Sequence, residues 1–152
     1  MGVLIQKSPN RWSCLPTSFA MAADIPLSEL LAEIGHDGSE IVDPGKPDPL
    51  CRRCFHPEEI KDVLWHRGLI VSTFEAFPSF RYGPIWSEQM AYERAIGILK
   101  YGCNVIAGVT KEGARHAVAV IRNEVYCPNA GHLPNGLDDF GIEWIYRITR
   151  FC

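Results

Sequence analysis

Asn104-Val105-Ile106-Ala107-Gly108-Val109-Thr110-Lys111-Glu112-Gly113-Ala114-Arg115-His116-Ala117-Val118-Ala119-Val120-Ile121 reads as two strands around a turn-like Lys111–Ala114. Asn104 to Val109 and Ala114 to Ile121 are rich in Val, Ile and small residues. Two further runs, Val125 to Cys127 and Ile142 to Thr149, follow after Gly, Asn or Pro. Short β-branched and aromatic runs separated by turn residues are the pattern of an antiparallel sheet. His116 stands at the start of one such run, after a turn.

Outward from this stretch, the first half carries helix signals. Ser13 can cap a segment from Cys14 to about Ala23, with Pro16 in the first turn, where a missing N–H costs little. Leu27, Leu30, Leu31 and Ile34 recur at helical spacing before Gly35. Three prolines between Pro44 and Pro49 mark a loop. Pro57 then starts a third helix with Ile60, Val63 and Leu64 on one side, leading into the strand-like Leu69 to Phe74. Phe77 to Pro84 is expected to be irregular. Ser87 begins a fourth helix through Met90, Ala91, Ala95, Ile96 and Leu99, closed by Gly102. Helices first and strands later predict an α+β fold, a helical N-terminal half packed on a small antiparallel sheet.

The 152 residues are expected to form a single domain over 1–152. Their 47% hydrophobic content, with seven Phe, five Tyr and four Trp, suffices for one buried core. Fifteen Lys and Arg against 18 Asp and Glu leave no basic footprint, so nucleic acid is not an expected partner. Met1–Ile5 lacks the charge and length of a signal peptide, and no stretch approaches the length of a membrane span. A soluble, cytoplasmic chain that does not engage membranes is expected. Six cysteines in that setting are expected to be reduced thiols.

Cys14 and His116 are the chemically informative pair. A helix start presents unpaired N–H groups and the positive end of the dipole, both of which favour thiolate over thiol. A distant imidazole folded alongside can then hold the proton. The alternatives are a cysteine packed as a small hydrophobe and a histidine satisfied by backbone. His36, His56, His66 and His132 lie at helix ends or in loops and are weaker candidates for a base. Trp12 and the aromatic string Phe74, Phe77, Phe80, Tyr82 and Trp86 suit a groove or the core.

Gln6, Cys14 followed by Pro16-Thr17-Ser18, a helical middle, and His116-Ala117-Val118-Ala119-Val120-Ile121 leading to Pro128 resemble the papain-like cysteine peptidases. The resemblance runs from Gln6 to about Arg150. It is strongest to the compact branch that includes bacteriocin leader-processing peptidases of the double-glycine type. It implies a papain-like fold, a peptide or protein substrate, and cleavage of a peptide or isopeptide bond through a Cys14 thioester. His116 would be the base and Gln6 an oxyanion donor beside the Cys14 N–H, with Asn10 or the Ser13 hydroxyl as substitutes. An acyltransferase, in which an amine replaces water, has the same residues.

Three features depart from the family pattern, one being Gln6, which stands eight residues before Cys14, a longer interval than in papain itself. Leu15 stands where these relatives usually have Gly. Cys127, in Tyr126-Cys127-Pro128-Asn129, stands where they place the Asp or Asn that orients the histidine. Asn129 shares a strand face with residue 127 and is the expected replacement, ahead of Asp138 or Asp139. A non-catalytic binding module of the same fold is the alternative these departures raise.

Cys51-Arg52-Arg53-Cys54 with His56 nearby supplies half of a tetrahedral zinc set, and no second ligand pair follows. The expectation is therefore no metal and no cofactor, with Cys51, Cys54 and His56 as the ligands to examine. Arg52 and Arg53 suit either solvent or an acidic substrate group.

Overall fold

The computed structural model describes residues 2–76, 88–137 and 140–151. Expectations for Phe77, Phe80, Tyr82, Trp86, Ser87, Asp138 and Asp139 lie outside the described residues. The elements run α1 (Cys14–Ala23), α2 (Leu27–Ile34), α3 (Pro57–His66), β1 (Leu69–Glu75), α4 (Glu88–Leu99), β2 (Cys103–Val109), β3 (Arg115–Ile121), β4 (Glu124–Cys127), β5 (Gly131–Leu133) and β6 (Gly141–Arg150). No helix among the described residues is long and apolar enough to cross a membrane.

The expected mixture of helices and antiparallel sheet is present, with two corrections. The sheet is not small: among the described residues it has six strands in the order β1-β6-β2-β3-β4-β5. Gly131–Leu133, expected to be loop, pairs with β4 as the edge strand β5. Its three residues are too few to show an alternating pattern.

Alternation in β3 divides the interior into two layers. Ala117, Ala119 and Ile121 face α1, where Phe19, Ala20 and Met21 pack with Leu30, Ile60 and Leu64 of the neighbouring helices. Val118 and Val120 face the other way, with Val125, Cys127, Ile145 and the α4 residues Ala95 and Leu99. Helix α1 is sunk into the first layer, Pro16 through Ala23 all being buried. Its small residues let it approach the sheet closely, which gives Cys14 a rigid mount.

Two backbone features set the geometry near His116. Arg122 and Asn123 have φ of 50° and 68°, the double positive φ of a type I′ hairpin turn, which locks β3 to β4 with Val120 opposite Val125. Gly108 lies opposite His116 across the β2–β3 ladder, at an irregularity in the β2–β6 pairing. A Cβ there would sit 2.0 Å from the Gly141 carbonyl oxygen, so only glycine permits this approach.

Candidate active site

Cys14 opens α1, and the capping differs from expectation. Ser13 makes no side-chain cap. Its buried hydroxyl instead donates to Asn10 Oδ1 at 2.5 Å, and the same oxygen accepts from the Trp12 N–H at 3.2 Å. Among the described residues no side chain caps the first N–H groups of α1, those of Cys14 and Leu15, which have no partner within the helix. With both donors converging on its oxygen, Asn10 is held rigidly and turns its amide NH2 away from them. No partner for that NH2 is found among the described residues. Ser13, by contrast, spends its hydroxyl on Asn10 and is not a substitute donor.

Gln6 is not at this end of the helix, which corrects the role implied by the resemblance. Its Nε2 donates to the Ile25 carbonyl at 2.7 Å and its Oε1 accepts from the Leu27 N–H at 2.6 Å. Both partners lie beyond the C-terminus of α1. At about 1.5 Å per residue, Ile25 is about 16 Å along the axis from Cys14. Gln6 fastens the α1–α2 turn and does not reach an oxyanion at Cys14.

His116, at the start of β3, is half-buried and lies between two thiols. Its Nε2 is 3.2 Å from Cys127 Sγ, and the Cys14 side chain is a second hydrogen-bonding partner of the ring. Since Nε2 is occupied by Cys127, Nδ1 is the nitrogen available to Cys14. These contacts, Cys127 first and Cys14 second, push the His116 pKa up to about 9 against the opposing effect of burial. For Cys127, burial resists ionisation. The hydrogen bond with His116 and N–H donors from Asn129 and Ala130 outweigh it, and the thiol is lowered. The two shifts run in the same sense, towards a charged ring and a more acidic Cys127 thiol.

Asn129 is corrected in the same way. Its backbone N–H, 3.4 Å from Cys127 Sγ, is what it contributes. The group on His116 Nε2 is the Cys127 sulfur, not the Asn129 amide. The type I′ turn explains this, because extending its register sets Cys127 opposite Val118 and diagonal to His116 on one face, within reach of a side-chain contact. By residue type alone, Cys127 is a departure from the family pattern and no more. The hairpin arithmetic from Arg122-Asn123 was the signal that could have placed it.

Among the described residues no group of three His, Cys, Asp or Glu is placed to hold a metal ion. Each candidate ligand has another task. The Cys51 thiol donates to Asp48 Oδ1 at 2.9 Å and Cys54 Sγ lies 3.5 Å from the Pro49 carbonyl oxygen. His56 caps α3, accepting from the Glu58 N–H while Glu59 accepts from the His56 N–H. The Cys51–Cys54 loop nevertheless borders the site: Cys54 is raised first by burial and then by the nearby Cys14 side chain. Arg52 lies 4.0 Å over the Trp12 ring and pairs with Asp48. Arg53 pairs with Glu40 and Glu59, so both arginines already have internal partners. The other histidines are likewise engaged, His36 with Glu59, His66 with the Asp62 carbonyl and His132 with Glu124.

No protein-family model matches the sequence, and no curated protein does. A solved structure does match in three dimensions: a double glycine motif protease from an AMS/PCAT transporter, in complex with the leader peptide. The TM-score is 0.59 at 11% sequence identity, covering 99% of this chain and 93% of that one. At this identity the likeness establishes the fold. The protein has the architecture of that protease along its whole length.

Proposed function

We propose that the protein is a papain-like thiol hydrolase acting on a peptide or isopeptide bond, with Cys14 as nucleophile and His116 as base and acid. The observation that carries this reading is the seating of one imidazole against the thiol at the head of a buried helix. The ring is held from behind through its other nitrogen. Attack by the Cys14 sulfur on a carbonyl carbon puts negative charge on the carbonyl oxygen. The uncapped Cys14 and Leu15 N–H groups and the Asn10 amide are the donors for it, and a preformed set of donors favours the transition state over the substrate. His116 then protonates the leaving amine, and water or another amine resolves the thioester. A peptide substrate also agrees with the solved protease, which holds a leader peptide.

Replacing Cys14 by Ala tests the assignment: turnover of a peptide pool should vanish while circular dichroism and thermal unfolding stay unchanged. Persistent cleavage would remove Cys14 from the reaction. A second reading, a binding module that has lost catalysis, is favoured by the position of Gln6 and by a thiol in the orienting place. Under that reading, Cys14 would alkylate with iodoacetamide at neutral pH no faster than Cys103.

A further inference from the structure

The group that contacts His116 Nε2 is itself a thiol, that of Cys127. Cys127 is buried to the same degree as Cys51, each 7% exposed, yet their environments push them in opposite directions. Cys51 is raised, first by its hydrogen bond to the Asp48 carboxylate, which stabilises the protonated thiol. Among the described residues, Cys127 meets no carboxylate but the His116 ring and the Asn129 and Ala130 N–H groups. Neither thiol lies on a helix start, so the difference is one of partners alone.

Cys127 also has an approach of its own. A cavity of about 330 Å³ is lined by His116 and Cys127 together with Val118, Leu133, Leu137 and Phe140. Thr110, Lys111 and Glu112 of the β2–β3 turn complete the described part of its wall. Cys14 does not line it. The space is therefore on the side of the imidazole away from the nucleophile, and its volume is ample for a small oxidant.

We propose that Cys127 is a second reactive thiol of this protein, a site of reversible oxidation by hydroperoxides that enter through the cavity behind His116. The thiolate sulfur attacks the terminal oxygen of the hydroperoxide, the S–O bond forming as the O–O bond breaks. Sulfur is oxidised by two electrons to sulfenic acid, and the peroxide is reduced to an alkoxide that takes the proton of the His116 imidazolium and leaves as alcohol. Two equivalents of an external thiol return the sulfenic acid to the thiol, with water and a disulfide as products. Oxidation converts the anionic partner of the imidazole into a neutral group. As a control on the active site this rests on the hydrolase reading, whereas the chemistry at Cys127 does not.

The full chain and its Cys14→Ala variant, treated with tert-butyl hydroperoxide in the presence of dimedone and mapped by peptide mass spectrometry, provide the test. The adduct is expected on Cys127 in both proteins, accumulating faster than on the equally buried Cys51. His116→Asn should slow it selectively, since the ring is what favours the thiolate. Labelling of Cys51 at the rate of Cys127, or no label on Cys127, overturns the proposal. If His116→Asn does not fold, the ranking of Cys127 against Cys51 decides alone. Labelled Cys127 in a protein that cleaves no peptide defeats the hydrolase reading and leaves this one standing.

Discussion

Substituting Cys127 by Ala should move the titration of His116 more than substituting Cys14. The ring is placed at about 9 rather than 6.5. At about 1.36 kcal/mol per pH unit, that interval amounts to about 3.4 kcal/mol in favour of the charged form. Because the ring is only half-buried, solvent screening discounts it to about 1–2 kcal/mol, or about one pH unit for the stronger partner. Following the His116 Hε1 resonance against pH in wild type, Cys127→Ala and Cys14→Ala measures all three. The expected order of midpoints is wild type highest, Cys14→Ala next and Cys127→Ala lowest. A wild-type midpoint near 6.5, or a Cys127→Ala midpoint equal to wild type, would refute the reasoning.

The stability consequence has two opposed parts. His116 holds its proton to a higher pH folded than unfolded, so its contribution is complete below about pH 6.5 and is lost as pH rises through about 9. Cys127, lowered on folding, contributes above the ordinary thiol value and loses its share as pH falls through its folded value. While both are charged, the folded pair carries one proton, as does an unfolded pair of neutral imidazole and thiol. Urea midpoints should then be nearly flat between about pH 6.5 and 8.5. A steep slope there would show that only one member of the pair is charged.

Other outcomes follow from single contacts. Asn10→Asp keeps the two bonds to the side-chain oxygen but replaces the NH2 donor, and kcat on a peptide substrate should fall by about 10²–10³ with KM little changed. Gln6→Ala should leave kcat unaltered and cost about 1–3 kcal/mol in urea denaturation, from two bonds lost at the α1–α2 turn. Gly108→Ala should destabilise the fold by about 1–3 kcal/mol or more, read as a lowered thermal midpoint, because the new methyl group meets the Gly141 carbonyl.

Much of the architecture was legible because its signals are local. Leu27, Leu30, Leu31 and Ile34 give α2 its exact bounds, and Pro57 and Gly68 bracket α3. The strands from Cys103 to Cys127 and at Gly141–Arg150 announce themselves by β-branched runs. What escaped depends on contacts across the chain. Ser13 looked like a cap because its type caps helices, but Asn10, three residues earlier, competes for the hydroxyl. Gln6 looked like an oxyanion donor by its order before the cysteine, and order does not say which end of a helix a side chain reaches. Cys127 reads as a defect in a polar position, because sequence does not show that the thiol sits against the His116 ring and the Asn129 N–H.

The Ser8 N–H donates to the Pro128 carbonyl oxygen at 2.8 Å. This bond stitches the segment leading into α1 to the residue following Cys127, so the wall that bears the Cys14 thiol and the wall that bears the imidazole share a seam. On the hydrolase reading, a peptide entering between them meets that seam first. The Ser8 amide is thus a natural reporter of breathing at the mouth, its deuterium uptake rising whenever the walls part and falling when an occupant draws them together.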